Sequence, residues 1–431
     1  MQIKRLAAAI ALATISCQTM ASTFNAVEPR ALGMGGIGAA TADATNAHYY
    51  NPALLATKQK TKLFTVDAAF AALLTDPGNM AGAVTDFNSG NYISNFTTAL
   101  TNLNATLPVG LPTPAEIIAI DAARAQVVIA TNELNAGIKT MSAKPVLVGA
   151  NLGGSLAIPN KTYSMAGYYS AWGEIGAVFT FSNADETFLT NTADALGTLD
   201  SSTATTADSL ATATFTSDLR LAAVTVKEYG ASIAKKQTVK GHDFVWGVTP
   251  KLQTVGVIAQ KFAGDQLDNA NTTNVLGSEV SSTGANIDVG LLKHFDKGLR
   301  AGLTIKNLLP MSYDAPAAFG GKVKIGPAFR LGGAFKSKRL MAGIDMDLLP
   351  NDALLGSEGA SQFLAVGAEL DLWILKARTG YRLDLQNADA SIATAGLGFN
   401  FFLAHVDLGA GVNTADPLRG LNLSAQVGVN W

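Results

Sequence analysis

The chain has 431 residues, 31 of them basic and 33 acidic for a net charge of −2, and it is only 15% charged against 48% hydrophobic. That near-neutral balance, with no basic stripe, argues against nucleic acid as a direct partner. The one cysteine, Cys17, rules out a disulfide framework. Beyond the first 20 or so residues no apolar run approaches the length of a membrane helix, so residence in a membrane would have to be as a barrel.

Lys4 and Arg5 form a basic start, and Leu6 to Ile15 is an apolar core too short to span a bilayer. Thr19-Met20-Ala21 supplies the small residues of a cleavage site, so residues 1–21 read as a signal peptide cut after Ala21. A rival reading lipidates Cys17, but Thr14-Ile15-Ser16 before it lacks the usual leucine. Cleavage takes Lys4 and Arg5 from the 31 basic residues, leaving 29 against 33 acidic ones, and removes the only thiol. An exported chain without cysteine cannot form wrong disulfides.

Gly33-Met34-Gly35-Gly36-Ile37-Gly38 matches G-x-G-x-x-G. A dinucleotide site needs a strand before the glycines, a helix after them and a later acidic residue. Here only a short mature segment precedes them, and the chain is exported, so no cofactor is expected. Glycines at this density instead let a segment thread closely along a barrel wall. Asn51-Pro52-Ala53 then turns the chain, beside Tyr49, Tyr50, Leu54 and Leu55.

From residue 58 onward the dominant signal is a period of two. The spacing predicts strands at about 61–70, 144–158, 161–182, 217–236, 240–262, 284–294, 298–306, 322–335, 339–348, 362–372, 374–385, 391–401, 404–412 and 420–431. Short links alternate with long ones, as in outer-membrane barrels, whose turns are short on the periplasmic side and long outside. The count is fourteen, within a range of about 12 to 16 if long stretches hide a turn. In the strands at 298–306, 322–335, 339–348, 362–372 and 374–385 the charges fall on one face only. The lumen-facing set is Lys322, Lys324, Arg330, Glu369, Asp371, Arg378, Arg382 and Asp384, expected as a salt-bridged interior. The last strand, Leu421 to Trp431, puts Leu, Val and Trp on one face and Asn, Ser, Gln and Gly on the other. Val427, Val429 and the terminal Trp431 therefore face lipid.

Two long links differ in kind. Residues 183–216, rich in Ser, Thr, Ala and Asp, read as a solvated extracellular loop. In the insertion at about 85–140, Thr113-Pro114-Ala115-Glu116 is a capping box. Ile117, Ile120, Ala123, Val127, Ala130 and Leu134 behind it follow helical spacing and must cover something apolar. The four histidines, His48, His242, His294 and His405, show no metal-binding spacing, and no serine is placed for a hydrolase. An enzyme is not expected.

Glu28-Pro29-Arg30-Ala31-Leu32-Gly33-Met34-Gly35-Gly36, followed by Asn51-Pro52-Ala53-Leu54-Leu55-Ala56, resembles the N-terminal plug of the FadL-like outer-membrane transporters of hydrophobic compounds. Gly247-Val248-Thr249-Pro250-Lys251-Leu252-Gln253 and Ala342-Gly343-Ile344-Asp345-Met346-Asp347-Leu348 are similar to the TraF-like, conjugal-transfer-associated branch. So is Ser361 to Leu370. The resemblance implies an all-β transmembrane antiparallel barrel of 14 strands over residues 58–431, with residues 22–57 folded into the lumen as a hatch. Gly33, Gly35, Gly36, Gly38, Asn51, Pro52 and Ala53 would belong to that hatch. It implies a Gram-negative outer-membrane location, with outer-membrane lipid and the barrel-assembly machinery as partners. Trp431, Val429 and Val427 would form the assembly signal at the periplasmic end. The function implied is conjugal transfer, with conjugation-apparatus proteins as partners, or else uptake of a hydrophobic small molecule such as a long-chain fatty acid. A low aromatic content of 7% tempers the second.

Overall fold

A computed structural model describes residues 28–57, 64–76, 78–108, 110–160, 162–198, 214–239, 242–263, 278–351 and 360–431. The expected signal peptide, its cleavage site and Cys17 lie outside the described residues. Among those described, sixteen strands follow the order β1 (Thr65–Thr75), β2 (Pro145–Ile158), β3 (Ser164–Thr180), β4 (Asp218–Val239), β5 (His242–Ala263), β6 (Val280–His294), β7 (Leu299–Lys306), β8 (Met311–Asp314), β9 (Lys322–Ile325), β10 (Ala328–Lys336), β11 (Leu340–Asp347), β12 (Phe363–Leu372), β13 (Leu375–Asp384), β14 (Ile392–Phe401), β15 (Ala404–Asn413) and β16 (Gly420–Asn430). Fourteen of them, all but β8 and β9, close an antiparallel barrel in which β1 pairs with both β2 and β16. The strand count read from alternation and link parity is the observed one.

The period of two is what turns sequence into a barrel wall. On β16, Asn422, Ser424 and Gln426 are buried in the lumen while Leu423, Val427 and Val429 stand exposed on the outer face. Leu331, Ile344, Val366, Leu370, Leu397 and Leu408 continue that outer band on β10, β11, β12, β14 and β15.

β4 and β5 each run 22 residues, about twice what a bilayer needs. Their tips therefore leave the membrane with an apolar outer face that must be covered. Helices Met80–Ser89, Tyr92–Thr106, Pro114–Met141 and Asn183–Gly197 cover it, burying Phe179, Leu219 and Phe262 from one cross-strand row. The capping box is formed: the Thr113 N–H donates to Glu116 Oε2 at 2.7 Å, and the Glu116 N–H donates to Thr113 Oγ1 at 3.3 Å. Val127, Ala130 and Leu134 are buried under this cap, whereas Ile117, expected on the same face, is exposed.

Three expectations are corrected. The first strand begins at Thr65 and continues to Thr75, rather than covering 61–70. The Ser/Thr-rich stretch read as a loop is helical over Asn183–Gly197, capped by Ser182 and packed through Leu189 and Leu196 on the helix Pro114–Met141. Residues 199–213 lie outside the described residues. The strand read at 322–335 is broken by Gly326-Pro327 into β9 and β10, because proline supplies no ladder N–H. β9 pairs with β8 as a separate hairpin that enters the barrel mouth. There Tyr313, Val323 and Ile325 pack on the inward-facing Val224, Val226, Val255 and Val257.

Candidate functional site

Inside the barrel lie residues 28–57, nearly all of them buried. Helix Pro29–Gly33 packs on β13 to β16, and the helical turn Pro52–Thr57 packs on β3 to β6. Alanines 157, 166, 234, 334 and 365 of the wall share one core with Met34, Ile37, Tyr50 and Leu54. A segment touching opposite sides of the barrel occupies its lumen.

Gly33, Gly35, Gly36 and Gly38 are buried here, as are Asn51, Pro52 and Ala53. Gly35 has φ +76°, a left-handed value that a side chain resists. The wall carries matching glycines. A Cβ at Gly367 would strike the Met34 backbone, and one at its cross-strand partner Gly380 would strike the Gly35 N–H. Backbone thus lies on backbone, which only glycine allows. The Asn51 side chain donates to the carbonyls of Ala39 at 2.7 Å and Leu291 at 3.1 Å, while its oxygen accepts from the Ala53 N–H. It thereby ties two parts of the segment to β6.

Charges from the wall hold the same segment. Arg30 Nε lies 2.8 Å from Glu369 Oε2, and the same oxygen accepts from Arg378 Nε at 2.8 Å. Arg378 also reaches Asp407 at 2.6 Å. Asp345 accepts from the N–H groups of Gly38 at 2.7 Å and Ala39 at 2.8 Å. Arg330 pairs with Asp347 at 2.6 Å and donates to the Gly36 carbonyl at 3.3 Å. Glu28 caps helix Pro29–Gly33 by accepting from Arg30 and Ala31. Burial pushes its carboxyl up to about 7, against the pull of Arg30 and Arg378. Burial also holds the His48 imidazole down at about 3, so that it stays neutral, stacked on Tyr168 with ring centroids 4.3 Å apart.

The remaining charges of the expected lumen set divide. Asp384 is buried and accepts the Gln362 and Gln386 N–H groups. Arg382 points inward over the Phe363 ring. Asp371 lies at the barrel end and accepts the Trp373 N–H at 2.9 Å. Lys322 and Lys324 are corrected: both are exposed on β9, where Lys322 pairs with Asp314. On β9 the valine and isoleucine, not the lysines, face the wall. Trp431, Val429 and Val427 stand on the outer surface.

Other buried groups were not singled out from the sequence. Lys251 bridges Glu228 and Asp288 at 3.0 Å each. Gln253 links Glu228, Asn307 and the Tyr313 hydroxyl of the mouth hairpin. Alternation on β4 to β6 carries the signal for their facing, since each shares parity with buried neighbours, but it does not say which charges meet. His405 lies 3.3 Å from Asp67 and 3.8 Å from Asp407.

The model of the family described as the F plasmid transfer operon, TraF, protein matches residues 48–347. Comparison with curated proteins finds no match. Among solved structures, the toluene transporter TbuX of Ralstonia pickettii is similar, at 11% identity over 94% of this chain and 98% of its own, with a TM-score of 0.52. The P. putida toluene transporter TodX gives 10% identity, 94% and 98% coverage and a TM-score of 0.49. The CymD monoaromatic hydrocarbon channel gives 12%, 94%, 96% and 0.49. At 11% identity the likeness to TbuX establishes the fold alone, a closed antiparallel β-barrel. The match over residues 48–347 establishes the family, and this chain belongs to the F plasmid transfer operon TraF protein family.

Proposed function

We propose that this protein is a non-enzymatic, plugged barrel serving an envelope function associated with conjugal transfer. In that reading the barrel lies in the outer membrane of a Gram-negative bacterium, and the described residues 28–57 act as its plug, behind a signal peptide cleaved after Ala21. The occupied lumen carries this reading. Residues 28–57 touch the wall on opposite sides, and the Arg30–Glu369–Arg378 cluster ties them there. A barrel so filled is no conduit for DNA or a folded protein; it suits a component that partner proteins engage from outside. Deleting the gene should lower mating frequency. Unaltered mating after deletion would count against a transfer role.

Uptake of a hydrophobic small molecule is the second reading. It is favoured by a cavity of about 550 Å³ in the mouth, lined by Val178, Leu221, Ala259 and Phe319 together with Arg220, Gln260 and Lys261. Cells with and without the gene should differ in uptake of labelled long-chain fatty acid if this reading holds. Equal uptake would remove it.

A further inference from the structure

The rim at which the C-terminus lies changes character around its circumference. Lys297 in the β6–β7 turn and Lys338 and Arg339 in the β10–β11 turn are exposed cations. The next turns around the sheet, Trp373-Ile374 between β12 and β13 and Phe402-Leu403 between β14 and β15, carry no charge. Trp373 is 76% exposed, Ile374 63%, and Phe402 fully so.

Backbone conformation makes these rings more than stray apolar residues. Trp373 has φ +80° and Phe402 φ +46°, left-handed values that are true outliers for a bulky side chain. Tight hairpin turns normally place Gly, Asn or Asp there. Bulky rings held in a disfavoured turn and left bare point to use at that spot.

Two observations indicate what covers them. The lipid-facing band runs into the turns without a break, through Leu370 and Leu372 of β12 and Phe401 of β14. Beside that band the Arg339 guanidinium sits over the Trp373 ring, 5.9 Å from its centroid, with Lys338 next to it in the chain. An apolar wedge flanked by two exposed cations complements a molecule with acyl chains and an anionic head. Asp371, the nearby carboxylate, is engaged by the Trp373 N–H.

We propose that the rim from Lys338 to Phe402 is a seat for an anionic glycerophospholipid of the periplasmic leaflet. Its acyl chains would lie on Leu370, Leu372 and Trp373, and its phosphate would meet Lys338 and Arg339. The proposal needs only the outer-membrane orientation, and is independent of whether the protein serves transfer or uptake.

The test uses the full folded barrel in nanodiscs of phosphatidylcholine mixed with phosphatidylglycerol, with the lipid retained on release read by native mass spectrometry. Phosphatidylglycerol should be retained preferentially. Lys338→Gln with Arg339→Gln should lower that preference by about tenfold. Trp373→Gly should lower retention of both lipids, while each variant keeps its heat-modifiable gel mobility. Equal retention of the two lipids, or a preference untouched in the double variant, overturns the proposal. So does Trp373 emission, isolated by difference from Trp373→Phe, that aqueous acrylamide quenches and brominated lipid does not. A face that docks a periplasmic protein would give that last result.

Discussion

Arg30 and Glu369 are 339 residues apart in sequence and meet at 2.8 Å, with their side chains 6% and 9% exposed. Because Glu369 Oε2 also takes Arg378 Nε, one carboxylate holds the N-terminal segment and braces two strands of the wall. Removing one member of a buried ionic cluster strands the others in low dielectric. Glu369→Gln should therefore loosen residues 28–57 by about 3–5 kcal/mol. Faster hydrogen exchange there, with exchange in β12 and β13 retained, would be the signature.

Glu28 makes that anchorage pH-dependent. Its folded pKa, about 7, lies above its ordinary 4.5, because burial outweighs Arg30 and Arg378 while Asp407 adds to the rise. Between those values the folded state holds a proton that the unfolded chain has lost. The stability from this group is thus complete below pH 4.5 and is lost as pH rises through 7, on the order of 3 kcal/mol in all. Protection of residues 28–35 should fall between pH 5 and pH 8 after correction for intrinsic exchange. Glu28→Gln should flatten the profile; a profile unchanged by that substitution would assign the effect elsewhere.

Gly380 tests backbone contact rather than charge. Valine there would place its Cβ against Gly35 and Met34, and a plug residue with φ +76° has little room to shift. Gly380→Val should displace the segment yet leave the barrel assembled. Planar-bilayer conductance should rise while heat-modifiable mobility is retained, whereas wild-type conductance would show that the wall glycines are not needed for closure.

Trp431 closes the barrel seam through backbone: its N–H donates to the Phe64 carbonyl at 3.0 Å, with the indole 58% exposed on the outer face. A charge near the interface costs only about 0–1 kcal/mol in folded barrels. A large loss of assembled protein in Trp431→Asp would therefore reflect recognition during assembly, not stability. Trp431→Phe should restore the level, as counted by outer-membrane fractionation.

Much of the architecture is readable because alternation is local. On β16 the polar residues go inward and the aliphatic ones outward, since a strand in lipid has no other way to sort them. The same logic places Arg330, Glu369, Arg378 and Asp384 in the lumen. It misplaces Lys322 and Lys324, because β9 alternates as a wall strand does while its apolar face packs against other valines inside the mouth. The helix Asn183–Gly197 is hidden by its Ser- and Thr-rich composition, although Ser182, Asp185, Leu189 and Leu196 carry a cap and a buried stripe.

Sequence alone determined the barrel, a count of about fourteen strands and the sidedness of the strands from residue 298 onward, because backbone pairing in a membrane and a two-residue period leave few alternatives. Only the tertiary structure decided that Glu369 serves Arg30, that Gly380 lies under Gly35, and that Lys251 joins Glu228 to Asp288. Such partners are chosen by strand order and register across hundreds of residues. No local pattern encodes which inward charge will stand opposite which.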